Sequence, residues 1–151
     1  MTPDVEIKVL DERLRGWGLP GYASAAAAAI DLRACLDEAL TILPDSAPPL
    51  ISAGFALHMN DPHLAALVLP RSGLGHKQGL VLGNLVGLID PDYTGPIMVS
   101  AWNRGRAPIT LQPGDRFAQL LFVPVVRPVL REVAAFTAAS DRGAGGFGST
   151  G

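Results

Sequence analysis

The segment 87–95 contains the residue types that the hydrolysis of a small polar substrate requires. It places a carboxylate, Asp90, three positions before an aromatic ring, Tyr93, between two glycines that favour turns. Apolar residues precede Asp90, and a carboxylate at the edge of a dry hairpin can act as a general base. The pattern therefore predicts a hairpin in which Tyr93 lies against a sugar while Asp90 activates a water. An ordinary Asp-Pro turn with a packed tyrosine is the alternative interpretation.

Residues 71–73 contain groups that could hold a phosphate. Arg71, Ser72 and Gly73 follow an apolar run and would present a guanidinium, a hydroxyl and a backbone N–H at the end of a strand. These three residues alone favour an ordinary polar turn. The second cluster at 75–77, Gly-His-Lys, shifts the interpretation towards phosphate binding.

The glycine-rich C-terminus is a second candidate for phosphate binding. Arg142 could clamp a terminal phosphate, and Phe147 could stack on a base. The segment lacks the lysine that follows the last glycine of a Walker A sequence, which excludes a P-loop ATPase. Its composition predicts a flexible tail over 141–151 after one domain over 1–140.

Glycine and proline, 17 and 13 of 151 residues, leave few windows for a helix of ordinary length. The alanines at 25–29 are too few to nucleate one. Alternating apolar residues over 51–59 predict a strand with one face on the core, and the runs 97–103 and 117–123 predict strands buried on both faces. The sequence therefore predicts an all-β jelly roll or distorted β-barrel of short strands. Predicted turns lie at Pro48-Pro49, Asp61-Pro62, Asp90-Pro91, Arg104-Gly105 and Pro113-Gly114, and predicted core residues include Cys35, Met98 and Trp102.

Composition excludes several classes of function. A net charge of -2 gives no extended basic surface for long nucleic acid. The single cysteine excludes an internal disulfide framework and fits a reducing compartment. No secretory signal or membrane span is visible, so we expect a cytoplasmic protein. No cluster has the spacing of a protein metal site, so any Mg²⁺ is expected to arrive with phosphates.

Five ordered segments resemble the motifs of the homotrimeric dUTP pyrophosphatases. They are 29–34, 70–77, 83–95, 113–119 and 142–151. The resemblance implies a jelly-roll trimer with three sites between subunits, which hydrolyses dUTP to dUMP and pyrophosphate. That activity limits uracil in DNA and supplies dUMP for thymidylate synthesis. Ala26–Ala29 stand where the family has a Gly-Ser-Ala-Gly pattern, so we expect this loop to be reshaped.

The resemblance also implies a role for each site residue. Asp90 would activate the water that attacks the α-phosphorus and contact the 3'-hydroxyl, and Tyr93 would pack where a 2'-hydroxyl would clash. The hairpin 84–98 would read uracil through main-chain groups and the Asn84 amide. Asp31 would act through waters on a Mg²⁺ held by the triphosphate. The residues implied to bind substrate are Arg71, Ser72, Gly73, Asn84, Gly87, Leu88, Ile89, Asp90, Tyr93, Met98, Gln119, Arg142 and Phe147. Of these, Arg71, Ser72, Gly73 and Gln119 would hold the phosphates, and Arg142 and Phe147 would close the site from a neighbouring subunit.

Two other functions remain as alternatives. A dCTP deaminase resembles this fold but needs a glutamate on the strand after the hairpin, and residues 96–103 contain no carboxylate. A catalytically silent nucleotide-binding protein would be free to lose Asp90, Arg71 and Arg142, all of which are present.

Overall fold

The computed structural model describes residues 3–148, so the last three residues of the predicted tail lie outside the described part. These residues form ten β-strands and two short α-helices, which confirms the all-β prediction. The strands are β1 (Glu6–Val9), β2 (Ile30–Arg33), β3 (Leu40–Ile42), β4 (Leu50–His58), β5 (Leu64–Pro70), β6 (Leu80–Leu82), β7 (Gly87–Ile89), β8 (Pro96–Asn103), β9 (Ile109–Leu111) and β10 (Arg116–Pro124). The helices are α1 (Arg13–Trp17) and α2 (Ser72–Lys77). Neither helix is long and apolar enough to cross a membrane.

The strands form two four-stranded sheets and a two-stranded ribbon, all antiparallel. Their orders are β1-β4-β8-β6, β2-β10-β5-β7 and β3-β9. Strands that are neighbours in a sheet are mostly distant in sequence, as the crossovers of a jelly roll require. The sheets enclose one core, and the chain has the predicted open, barrel-like jelly-roll fold. Its largest fully buried side chains include Leu14, Leu32, Ile51, Phe55, Ile97 and Leu120.

Two strands are less buried than predicted. In β8 the residues Ile97, Val99 and Ala101 are buried, whereas Met98 is 41% exposed and Trp102 is half-buried. Burial on both faces and a core position for Met98 were therefore wrong predictions, because only one face of β8 packs on the core. In β10 the C-terminal half of the strand is likewise only half-buried.

Cys35, the third predicted core residue, is half-buried rather than part of the fully buried core. Burial, together with the neighbouring Asp11 carboxylate, raises the pKa of its thiol to about 11. Its sulfur lies against Gly54, which has a φ of 81° at an irregularity of β4 between Ser52 and Ala56. A Cβ at Gly54 would collide with that sulfur, so this position requires glycine for both space and conformation.

All five predicted turns lie in connections between strands, and Asp61-Pro62, Asp90-Pro91 and Pro113-Gly114 include turn residues. Pro48-Pro49 was wrongly predicted as a turn, since the turn of that connection lies at 44–45. The alanines at 25–29 form no helix. After β10 ends at Pro124, residues 125–148 contain neither helix nor strand. Several apolar side chains of this segment are almost fully exposed, including Val126, Val129, Leu130 and Phe136.

Candidate active site

The predicted hairpin is not a paired hairpin. Within residues 3–148, β7 pairs with β5, and β8 pairs with β4 and β6, but no pairing joins β7 to β8. The two strands therefore belong to different sheets and diverge from the turn that connects them. Between them lies a cavity of about 220 Å³, here called the slot. The slot is lined by Val68, Asn84, Gly87, Leu88, Ile89, Asp90, Tyr93, Pro96, Ile97 and Met98.

Unpaired main-chain edges border the slot. One edge of β7 is used by β5, in a register that sets Gly87 opposite Val68 and Ile89 opposite Ala66. The other edge of β7 faces the first half of β8 across the slot. Main-chain N–H and C=O groups that are removed from water need a hydrogen-bond partner. The slot therefore suits a flat ring that presents donors and acceptors along its edge.

The Asn84 amide lies at the β7 side of the slot. Asn84 begins a tight turn in which its main-chain oxygen accepts a hydrogen bond from Val86 N at 2.8 Å, and Leu85 has a φ of 66°. A Cβ on Gly87 would be 3.6 Å from the Asn84 Nδ2 atom. The turn thus holds a side-chain hydrogen-bonding group beside the free edge of β7.

Asp90 and Tyr93 are brought together at the turn between β7 and β8, as predicted. The Tyr93 main-chain N–H donates to the Asp90 main-chain oxygen at 3.1 Å. The Tyr93 hydroxyl donates to the Pro96 main-chain oxygen at 2.9 Å, which fixes the ring over the turn. Both side chains line the slot, and the exposed Asp90 carboxylate is accessible to a water.

The surroundings of Asp90 are not dry in the single chain. The side chains of Leu85, Val86 and Leu88 are 67%, 48% and 66% exposed. They form an apolar patch around the slot instead of a buried wall, so the expectation of a dry hairpin is wrong for one isolated chain. Exposed apolar patches commonly mark a surface that another molecule covers.

A second cluster, here called the arginine cluster, surrounds Asp31. The Asp31 carboxylate forms an ion pair with Arg71, whose Nε lies 3.0 Å away, and accepts a hydrogen bond from Arg116 Nη1 at 3.3 Å. Arg71 also donates through Nη1 to the Arg116 main-chain oxygen at 3.1 Å. The carboxylate therefore holds two guanidinium groups side by side, an arrangement suited to binding a polyanion.

The sheet register explains how this cluster forms. Asp31 on β2 is opposite Gln119 on β10, and Gln119 is opposite Leu69 near the end of β5. The Gln119 side-chain amide donates to the Pro70 main-chain oxygen at 2.8 Å. Three adjacent strands thus bring Asp31, Gln119 and Arg71 to one edge. Arg116 was not among the predicted site residues, although it lies in the motif at 113–119.

Ser72 and Gly73 lie beside the arginine cluster, in the first turn of α2, and both are exposed. The first N–H groups of a helix have no acceptor within the helix. A Cβ on Gly73 would meet no atom within 4 Å, so the space above this turn is open. These residues are therefore accessible to a ligand, as predicted.

Asp90 and the arginine cluster lie at opposite ends of β5. Ile89 is opposite Ala66, so Asp90 follows at the level of the start of β5, and Asp90 and Ala65 line a common cavity. Arg71 follows the last residue of the strand, Pro70. At about 3.3 Å per residue, the two positions are separated by roughly 15 to 20 Å along the strand. One chain alone therefore does not bring Asp90 and Arg71 together.

The described part of the tail lines neither the slot nor the cavity beside the arginine cluster. Neither Arg142 nor Phe147 lines the slot or the cavity beside Arg71. Arg142 donates to the Gly145 main-chain oxygen at 2.8 Å, and the Phe147 ring is fully exposed. Both side chains are therefore accessible to a site on another copy of the chain.

The carboxylates of the site are dispersed. Among residues 3–148, no group of three or more His, Cys, Asp and Glu side chains could hold a metal ion. Asp31 is the acid of the arginine cluster, with a side chain 23% exposed. A Mg²⁺ at this edge would need most of its oxygen ligands from a substrate and from water, which is its usual mode of binding with phosphates.

An open jelly roll with a narrow slot for a ring and a separate arginine cluster has the features of a nucleotide-binding protein. Residues 15–151 match the family model dUTPase. The deoxyuridine 5'-triphosphate nucleotidohydrolase of Acinetobacter baylyi is 55% identical over 148 residues, which cover 97% of each chain. The protein of the same name from Xylella fastidiosa is 57% identical over 148 residues, 97% of this chain and 94% of its own. The chain belongs to the dUTPase family.

A solved structure agrees with this assignment at the level of the fold. The Staphylococcus bacteriophage 80alpha dUTPase, solved with dUPNHPP, superposes with a TM-score of 0.86. The match covers 99% of both chains at 24% sequence identity. The jelly roll is therefore retained even where most of the sequence differs.

Proposed function

We propose that this dUTPase family member hydrolyses dUTP to dUMP and pyrophosphate at sites shared between copies of the chain. The observation that carries the proposal is the separation of Asp90 from Arg71 along β5. A nucleotide whose α-phosphorus is attacked beside Asp90 can place its outer phosphates on Arg71 only if a second copy supplies it. Three copies in a closed ring satisfy this requirement at every slot.

Uracil is the base that the slot recognises. Its Watson–Crick edge presents an acceptor, a donor and a second acceptor, which main-chain groups of Gly87, Leu88, Ile89 and Met98 and the Asn84 amide can match. Cytosine presents an acceptor in place of the donor and a donor in place of the second acceptor, and each mismatch leaves buried polar groups unpaired. A thymine methyl group would need additional space in the cavity of about 220 Å³.

Tyr93 selects the sugar. Its ring lines the slot and is held by the hydrogen bond to the Pro96 oxygen. The ring packs on a deoxyribose, and a 2'-hydroxyl would require it to move. Asp90, which lines the same slot, contacts the 3'-hydroxyl.

Asp90 is the general base. Its carboxylate takes a proton from a water whose oxygen attacks the α-phosphorus, and the bond from this phosphorus to the bridging oxygen of the β-phosphate breaks. Pyrophosphate leaves, and dUMP retains the oxygen of the water. The exposed position of Asp90 at the slot supports this role.

The arginine cluster of a second copy holds the phosphates. Arg71, Ser72, Gly73 and Gln119 offer donors at one edge, and positive charge aimed at the transferring group stabilises the transition state. Asp31 would act through waters on a Mg²⁺ held by the triphosphate. When bound, that ion neutralises negative charge on the phosphates.

The C-terminal segment joins the copies and closes the site. Apolar side chains at Val126, Val129, Leu130 and Phe136 are exposed in the single chain, and a neighbouring copy would cover them. Arg142 and Phe147 then reach a slot on another copy, where they clamp a phosphate and stack on the base. Closure excludes stray water from the reaction. The cytoplasm, where nucleotides are metabolised, is the expected place of action.

The test is the release of pyrophosphate from dUTP, dCTP, dTTP and UTP, each measured in parallel with Mg²⁺. Turnover confined to dUTP supports both the uracil slot and the sugar selection by Tyr93. A kcat/KM for dCTP or dTTP close to that for dUTP would contradict the base recognition, and a kcat/KM for UTP close to that for dUTP would contradict the role of Tyr93. Turnover of none of the four would contradict the activity itself.

A further inference from the structure

Gly95 lies directly beneath the Tyr93 ring. A Cβ built on Gly95 would be 2.5 Å from the Tyr93 Oη, 2.7 Å from Cζ and 3.0 Å from Cε2. Real Cβ atoms essentially never approach another heavy atom closer than 3.0 Å, so a side chain at this position and the observed ring exclude each other.

The requirement at Gly95 is for space and not for an unusual backbone. Gly95 is absent from the residues of positive φ in the described chain, in contrast to Gly114, whose φ is 85°. Alanine could therefore adopt the Gly95 conformation without strain. The collision with the Tyr93 ring is what disfavours it.

We propose that Gly95 is a positioning residue that sets the selectivity for deoxyribose over ribose, by leaving the space in which the Tyr93 ring lies. The inference rests on the proposed function of Tyr93 as the residue that selects the sugar. The ring is fixed by the main chain of Gly95 below it and by the hydrogen bond from its hydroxyl to Pro96. A methyl group added at position 95 would push the ring off the main chain below it and strain the hydrogen bond to Pro96.

The methyl group would displace the ring rather than the fold. Pro96, the next residue, begins β8, which is paired with β4, so the main chain at this point is held by the sheet. The Tyr93 side chain is 44% exposed and is free to rotate away. A displaced ring packs less well on deoxyribose and no longer excludes a 2'-hydroxyl, so preference for dUTP over UTP falls.

The experiment compares Gly95→Ala with Gly16→Ala, a control in α1 where an added Cβ meets no atom within 4 Å. The quantity measured is the ratio of kcat/KM for dUTP to kcat/KM for UTP. We expect this ratio to fall roughly tenfold or more in Gly95→Ala, since shape contacts of a single methyl give effects of this order. The ratio of Gly16→Ala should match that of the unsubstituted chain, and its melting temperature should not fall, since alanine is favoured over glycine within a helix.

A double-mutant cycle tests whether Gly95 acts through Tyr93. In a Tyr93→Ala background the collision is absent, so adding Gly95→Ala should leave the ratio unchanged. An unaltered ratio in the Gly95→Ala single variant would overturn the inference. The inference would also be overturned if Gly95→Ala lowered the ratio equally with Tyr93 present and with Tyr93→Ala. The effect would then come from the main chain and not from the ring. Absence of dUTP turnover in the unsubstituted chain would overturn the proposed function and the inference together.

Discussion

The slot and the arginine cluster recognise a ligand by different means. The slot is bordered by main-chain edges that its own strands leave unpaired, with one amide and one aromatic ring beside them. The arginine cluster is made of charged side chains that are already paired, with Asp31 between Arg71 and Arg116. Main-chain groups fixed by a sheet discriminate between bases, whereas guanidinium groups bind any phosphate.

The two regions have different parts in the proposed function. Strand β5 contributes to both within one chain but separates Asp90 from Arg71 by roughly 15 to 20 Å. On the proposal, each copy therefore supplies the slot of one site and the arginine cluster of another. Selectivity would then arise at the slot, and the arginine cluster would balance the charge of the transition state.

The largest effect is expected from removing the base at the slot. Asp90→Asn keeps the shape of the side chain but cannot take a proton from water. We expect kcat for dUTP to fall by roughly 10² or more, because general-base catalysis contributes that much. Nucleotide binding should persist, as measured by isothermal titration with a non-hydrolysable dUTP analogue.

Asp92→Asn is the matched control for this variant. Asp92 is exposed in the same turn, and it does not line the slot. Its substitution should leave kcat within about twofold, as expected for an exposed side chain that does not line the slot. Unchanged turnover in Asp90→Asn would remove that residue from the mechanism.

A smaller effect with a different signature is expected from the arginine cluster. Arg71→Ala removes a phosphate contact and one of the two guanidinium groups on Asp31. We expect kcat/KM for dUTP to fall roughly 10- to 100-fold, as for loss of a charge-assisted contact of about 1.5 to 3 kcal/mol. The affinity for deoxyuridine, which has no phosphate, should not change.

Arg71→Lys separates charge from geometry. Lysine retains the positive charge but not the fork of the guanidinium, so partial recovery would assign part of the effect to charge alone. If Arg71→Ala weakened deoxyuridine binding as much as dUTP binding, the separation of the two regions would be wrong.

Much of the slot could be predicted from the sequence because its key residues are close together in the chain. Asp90 and Tyr93 are three positions apart, and both line the slot. The strands β4, β8 and β10 and the five breaks between strands were also predicted, since proline, glycine and alternating apolar residues act locally.

Long-range pairing was not predictable in the same way. The expected hairpin fails because β7 pairs with β5, some twenty residues earlier in the chain, and this pairing also brings Val68 to the slot. The role of Arg116 emerges only when β2 and β10 lie side by side. Burial was overestimated for β8 because an apolar residue such as Met98 can line a ligand slot as well as a core.

We propose that each site combines the slot of one copy with the arginine cluster of another. The most direct test of this proposal is to mix the Asp90→Asn and Arg71→Ala chains in equal amounts, unfold and refold them together, and measure dUTP hydrolysis. In a random closed ring, about a quarter of the sites would receive an intact Asp90 and an intact Arg71 from different copies.

Each variant refolded alone under the same conditions provides the baseline. We expect the mixture to recover about a quarter of the activity of the unsubstituted chain, well above either variant alone. Activity equal to the mean of the two variants would mean that Asp90 and Arg71 act within one chain, and sites shared between copies would be wrong.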